Sequence, residues 1–227
     1  MPTPEHVAAR QVLLDALDAL YAHLDNLILV GAQAVYLHTG AGTLVVPPMT
    51  TDGDLALDTR HLADSPEIAR TLIDAGFTPG SNPGHWLGTH DIAIDIMIAP
   101  FQSGATSRTA RSARIPPHAK SVGRIAPGLE PALIDHAIHR IASFADNDPR
   151  VFDLKVANPA ALVVAKIIKI AERDQNGRHQ PGRLKAKDAL DTFRMFQTIE
   201  TEPLAEGFRS HRTEPESARV STKALAY

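Results

Sequence analysis

Between His90 and Ile98 the chain reads HDIAIDIMI, and after His90 isoleucine fills every even position: Ile92, Ile94, Ile96 and Ile98. Alternate residues of a strand share a face, so this segment presents one all-isoleucine face and one bearing Asp91 and Asp95. The isoleucine face must be buried, which calls for a sheet with a packed layer behind it and leaves the aspartate face accessible. Asp95, inside the strand, is the better candidate ligand. Asp91, at its start, can be an ordinary solvated residue.

Other elements follow from the same periodicities. Apolar residues from Pro4 to about Asp25 recur at three-to-four spacing and predict an amphipathic helix. LILV, residues 27–30, predicts a buried strand, and GAQAVYLHTG a helix from Gly31 closing at Gly40. After Pro47 and Pro48 a strand is expected near Gly53 to Leu57. SPEIARTLIDAGF predicts a helix with Ser65 as N-cap, Pro66 at its first position and Gly76 as its stop. Gln102 to Leu129 carries Arg108, Arg111, Arg114, Lys120 and Arg124 with no acid among them, and reads as a long basic loop or hairpin. ALIDHAIHRIASF fits either a strand or a helix, with the strand favoured, and VFDLKVANP predicts a strand running into a helix from Pro159 to about Asp174. A last helix is expected from about Leu184 to Ile199.

The fold class expected is α+β: a small mixed sheet backed by helices, with a helical C-terminal region. Residues 1–150 form the catalytic domain in this reading, and 151–200 a helical region completing the active site. Residues 201–227, poor in apolar residues, form a mobile tail. With 44% apolar residues in 227 the chain can bury a sizeable core. A net charge of −3 leaves nucleic-acid affinity to a local patch. The absence of cysteine suits a reducing cytoplasm, and no signal pattern or membrane-length apolar run is present. Eleven histidines without cysteine or a His-Glu-x-x-His pattern do not spell a zinc site.

Chemistry concentrates in TTDGDL. Asp52 and Asp54 alternate along a strand, point together and repel one another unless neutralised. A divalent cation such as Mg²⁺ is the usual solution for hard oxygen ligands, with Asp95 on a neighbouring strand as third carboxylate. An Asp-x-Asp pair alone is more often a turn or a solvated face; the weight lies in all three aspartates together with Gly31. A glycine after an apolar strand lets the backbone approach a ligand, and a helix N-terminus offers N–H groups to an anion. On the helix after Pro159, Lys166, Lys169 and Arg173 fall within about 60° of one another. That stripe is either a solvated edge or a set of phosphate-neutralising cations. Asp188 and Asp191 face the same way on the last helix; Asp188 is favoured as functional, and Asp191, four residues after Lys187, as structural.

Strand, LVGAQAV turn and helix, TTDGDL and then IDIMI resemble the polymerase-β-like nucleotidyltransferase superfamily. NPAALVVAKIIKIAERD followed by LKAKDALDTFRMF resembles its AbiEii-type toxins, the toxin half of certain toxin–antitoxin and phage-defence systems. The resemblance covers residues 27 to 196. It implies a polymerase-β-like fold and a two-metal NTP site with Mg²⁺, or Mn²⁺, held by Asp52, Asp54 and Asp95. It also makes Lys166 and Asp188 active-site residues. Gly31, Ala32, Thr51 and Lys166 are expected to meet the nucleotide, with Thr50 or Thr51 supplying a hydroxyl near the γ-phosphate. Ala32 replaces the second Gly or Ser usual in the turn, and VVPPMTT lacks the arginine often found before the Asp pair. The acceptor implied is RNA, particularly a tRNA 3′ end, bound by Arg108 to Arg124, with a cognate antitoxin as possible protein partner. A small-molecule acceptor such as an aminoglycoside, and a catalytically silent binding protein, are the alternatives.

Overall fold

The computed structural model describes residues 3–40, 52–107, 109–177 and 186–227. Thr51, the basic residue Arg108 and the prolines Pro47 and Pro48 lie outside the described residues, so the expectations attached to them have no structural counterpart here.

Helix α1 (Pro4–Ala19) starts at Thr3, whose hydroxyl accepts from the His6 N–H, and it buries Val12, Leu13, Leu14, Ala16 and Leu17. It is shorter than the periodicity suggests, because the chain tightens into a 3-10 turn over Tyr21–Asn26. Strand β1 (Leu27–Val30) is buried throughout and runs into α2 (Gly31–Thr39). Next come β2 (Asp52–Leu57) and α3 (Ile68–Asp74). The N-cap of α3 is Glu67 rather than Ser65: its carboxylate accepts from the Arg70 N–H at 2.7 Å. Strands β3 (Thr78–Pro79), β4 (His85–Leu87) and β6 (Arg124–Ile125) are too short to show a period in the sequence. Strand β5 (Ala93–Ile98) begins later than expected, because Thr89–Asp91 form a 3-10 turn with positive φ at His90 and Asp91. Asp91 is therefore off the strand. Strands β7 (His136–Ala142) and β8 (Val151–Ala157) form a hairpin, so the boundary expected at residue 150 falls inside a paired unit.

Among the described residues the eight strands form one mixed sheet ordered β3-β4-β5-β2-β1-β8-β7, with β6 alongside β5. Strand β2 is antiparallel to β1 and parallel to β5. Ile94, Ile96 and Ile98 are fully buried, as their alternation required. A Cβ on Gly53 would meet Ile94 and Leu13, so this face of the sheet packs on α1. Helices α4 (Pro159–Gly177) and α5 (Ala186–Thr198) pack on each other and on α2.

The tail reading is corrected. Residues 201–227 form helices α6 (Thr201–Thr213) and α7 (Pro215–Leu225), packed on each other and on α4. Their buried faces are narrow: Leu204 and His211 on α6, Ser217, Ser221 and Ala224 on α7. Small residues let the backbones approach closely in place of a broad apolar stripe. A Cβ on Gly207 would come within 2.5 Å of Ala160 Cβ on α4. His211 Nε2 also meets Asp135 Oδ2 at 2.7 Å, and Asn158 Nδ2 donates to Asp135 Oδ1 at 2.8 Å. A helix pair built from serine, glycine and histidine is hard to see by hydropathy.

Candidate active site

Register assembles the three aspartates. In the parallel β2–β5 pair Asp54 lies beside Asp95 and Asp52 beside Ala93, so Asp52, Asp54 and Asp95 share the face opposite the isoleucines.

Asp54 lies against the start of α2. Its Oδ2 stands 1.9 Å from where a Cβ on Gly31 would be, and Gly31 has φ +69°. The glycine is thus required twice, once for its backbone conformation and once to make room for the Asp54 carboxylate. Burial, and then the charge of Asp52, push the Asp54 carboxyl above its ordinary range, with Asp95 adding to the effect. The charge pile-up expected from the Asp-x-Asp spacing is therefore present. Gly31→Ala is expected to destabilise the fold by about 1–3 kcal/mol. It should also displace Asp54, readable as a drop in melting temperature with loss of activity. An unchanged melting temperature would mean that Asp54 turns aside at no cost.

The other two aspartates already face cations. Asp52 Oδ1 lies 3.6 Å from Lys187 Nζ, a half-exposed contact. Asp95 Oδ1 meets His85 Nδ1 at 2.7 Å, and its Oδ2 accepts from Arg124 Nη2 at 3.2 Å. Neither partner was foreseen. His85 was one histidine among eleven, and Arg124 belonged to a run assigned to an RNA-binding loop. Among the described residues of that run Arg111, Arg114 and Lys120 are exposed, whereas Arg124 turns inward.

The lysine stripe on α4 faces α5. Lys166 is only 5% exposed and places Nζ 2.7 Å from Asp191 Oδ2 and 3.2 Å from Asp188 Oδ1. Arg173 pairs with the other oxygen of Asp188, and Lys169 Nζ lies 3.5 Å from Asp188 Oδ1. Burial alone would lower the Lys166 ammonium, but Asp191 and Asp188 carry it above its ordinary value. Burial would likewise raise Asp188, and the facing cations, Lys166 foremost, hold it below the usual carboxylate range. The solvated-edge reading of the stripe is corrected for Lys166. The surface-pair reading of Lys187 and Asp191 is corrected too: Asp191 is buried on Lys166, while Lys187 reaches towards Asp52.

A cavity of about 150 Å³ joins these groups, lined by Gly31 and Asp54 on one side and Lys166, Lys169 and Arg124 on others, with Met97 and Leu162 supplying apolar wall. Ala32 is buried and does not line it. A larger cleft of about 1230 Å³ adjoins and shares Ile125, Pro127 and Glu172 with the cavity. Arg111, Arg219, Lys223, Glu130 and Glu172 are its charged lining. Two of these, Arg219 and Lys223, come from α7.

Among the described residues no three His, Asp or Glu side chains close into a ready-made cation cage. The donor chemistry nevertheless suits a hard divalent ion. Asp54 is a buried carboxyl whose ionisation Asp52 opposes and Lys169 and Lys166 only partly offset, and Asp95 adds a third carboxylate whose oxygens are turned to His85 and Arg124.

No protein-family model and no curated protein matches the chain. Among solved structures it is similar to the antibiotic-resistance factor ANT(2'')-Ia, solved in solution. The alignment has 12% identity and a TM-score of 0.41, and covers 90% of this chain and 93% of that one. No helix among the described residues is long and apolar enough to cross a membrane.

Proposed function

We propose that this protein is a metal-dependent nucleotidyltransferase in which an acceptor hydroxyl attacks the α-phosphate of an NTP and pyrophosphate leaves. The observation that carries this is the parallel register placing Asp54 beside Asp95, with Asp52 on the same face and lysines across the cavity. Asp52, Asp54 and Asp95 would hold Mg²⁺ or Mn²⁺, which when bound supplies charge neutralisation to the phosphates. Lys169, half-exposed at the cavity, binds the triphosphate as a point charge. Lys166 adds positive potential from behind while held by Asp188 and Asp191. Asp95, oriented by His85 and Arg124, takes the proton of the acceptor hydroxyl.

The acceptor proposed is RNA, in keeping with the resemblance to the AbiEii-type toxins, whose tRNA 3′ end and cognate antitoxin would then be the natural partners. Arg111, Arg219 and Lys223 along the cleft support a polyanionic acceptor. Glu130 and Glu172 in the same cleft favour a second reading, a cationic small molecule such as an aminoglycoside. Burial pushes both of these carboxyls up.

Incubation with each labelled NTP, Mg²⁺ and either total RNA or an aminoglycoside shows which acceptor takes label. With RNA, the pair Arg111→Glu and Arg219→Glu is expected to weaken RNA binding by about tenfold or more and to flatten its salt dependence, with NTP affinity unchanged. RNA binding insensitive to both salt and the double substitution would transfer the assignment to the small molecule. Absence of label on any acceptor would sink the enzymatic reading.

A further inference from the structure

We infer that Gln33, backed by Arg10, is a positioning residue that holds the backbone of Asp52, an inference resting on the reading of Asp52 as a ligand in the proposed site. Gln33 lies in the first turn of α2 and is 1% exposed. Its Nε2 donates to the Asp52 carbonyl oxygen at 3.1 Å and to the Ala9 carbonyl at 3.5 Å. Its Oε1 accepts from Arg10 Nε at 3.1 Å. Arg10, itself buried on α1, donates through Nη1 to the Ala142 carbonyl at 3.0 Å, and its guanidinium lies 4.3 Å from the Phe144 ring centroid. One amide thus ties α1, α2 and the first residue of β2 together, and the arginine behind it is anchored at the end of β7.

The geometry gives this tie a purpose. Asp52 begins β2, and the next residue, Gly53, has no side chain to hold its peptide. A Cβ there would stand 2.7 Å from Ile94 Cδ1 and 3.4 Å from Leu13 Cδ1, so packing beneath the strand disfavours one. A glycine peptide at a strand start is pliable. The direction in which Asp52 projects, relative to Asp54 two residues on, therefore depends on what grips the Asp52 carbonyl. A buried amide satisfied on both ends fixes one orientation, whereas an apolar residue would fill the same space without fixing any.

Gln33→Glu keeps the volume and the acceptor for Arg10 but turns an oxygen towards the Asp52 carbonyl; Gln33→Met keeps the volume and removes both bonds. In either variant Mn²⁺ affinity, measured by calorimetry, is expected to fall by about tenfold. The Gly53 amide should exchange its hydrogen faster, and kcat should fall with the KM for NTP unchanged. Gly53 exchange as slow as in the wild type in both variants, with any loss of Mn²⁺ affinity merely following the melting temperature, would reduce Gln33 to a core-filling residue and overturn the inference. A wild-type protein that binds no Mn²⁺ would overturn the ligand reading of Asp52 instead. The two failures are distinguishable, because Gly53 exchange reports the backbone tie without metal or substrate.

Discussion

Asp54→Asn is expected to lower nucleotidyl transfer by roughly 100- to 1,000-fold, about 2.7–4 kcal/mol of barrier, without lowering the stability of the metal-free protein at neutral pH. The two halves have one cause. Asp54 is pressed against Gly31 with Asp52 and Asp95 nearby, and its carboxyl is pushed up by burial and by Asp52. Asparagine has the same shape, so the contact over Gly31 survives while a repelled charge is removed. A raised carboxyl means that the fold favours its protonated form. That contribution is fully present below the unfolded value of about 3.9 and is lost as pH rises through the folded value. Wild type and Asp54→Asn should therefore melt alike in acid, and the variant should gain relative to wild type as pH approaches neutrality, in chelator. Adding Mg²⁺ should raise the melting temperature of wild type more than that of the variant. A variant markedly less stable than wild type at pH 7 without metal would show that the Asp54 charge is already compensated. Full transfer activity would remove Asp54 from the site.

What could be read from the chain divides along physical lines. Strands β1, β2 and β8 and helices α2 and α4 were legible, because each buries enough contiguous or periodic surface to leave a pattern, whereas β7 buries only Ile141 and its segment fits a helix as well as a strand. The isoleucine alternation placed Asp95 on the open face, although the strand begins later than the pattern suggested, since His90 and Asp91 turn the backbone into the left-handed region. Strands β3, β4 and β6 span only two or three residues, so no period could appear. Helices α6 and α7 were hidden by their own means of packing, in which Gly207 lets α6 approach α4 and buried Ser217 and Ser221 stand where hydropathy looks for leucine. Partners were less legible than the aspartates themselves. Asp52 and Asp54 stand out through their spacing taken together with Asp95 and Gly31, but that His85 and Arg124 close on Asp95 depends on β4 and β6 flanking β5, a tertiary fact. Lys166 and Asp188 were singled out, whereas the equal share of Asp191 was not, because residues at i and i+3 on a helix look the same whether they face solvent or a buried lysine.

That buried lysine sets the largest stability effect expected. Had Lys166 merely run along the helix surface to solvent, its removal would cost no more than about 0.5 kcal/mol. Instead it lies at 5% exposure between Asp188 and Asp191. Lys166→Ala leaves Asp188 with Arg173 and Lys169 but strips Asp191 of the ammonium 2.7 Å away, which should cost about 3–5 kcal/mol. Against a total of roughly 5–15 kcal/mol, that is enough to lower the denaturation midpoint plainly. The pH dependence follows from the directions of the shifts. Asp188 is depressed, so its contribution is present above about 3.9 and is lost as pH falls through its folded value. Lys166 is raised, so its contribution is present below about 10.4 and is lost as pH rises through its folded value. The deficit of Lys166→Ala should accordingly be largest between these limits and shrink in acid. Activity alone cannot separate a strut from a phosphate-neutralising charge in so unstable a variant, but Lys166→Met combined with Asp191→Leu can. Replacing both buried charges by apolar groups should restore most of the stability. If the Lys166 ammonium contributes potential at the triphosphate, the refolded double variant stays slower than wild type by roughly 100-fold, about 2.7 kcal/mol. Recovery of turnover along with stability would assign Lys166 to holding α4 against α5 and leave Lys169 as the cation that meets the nucleotide.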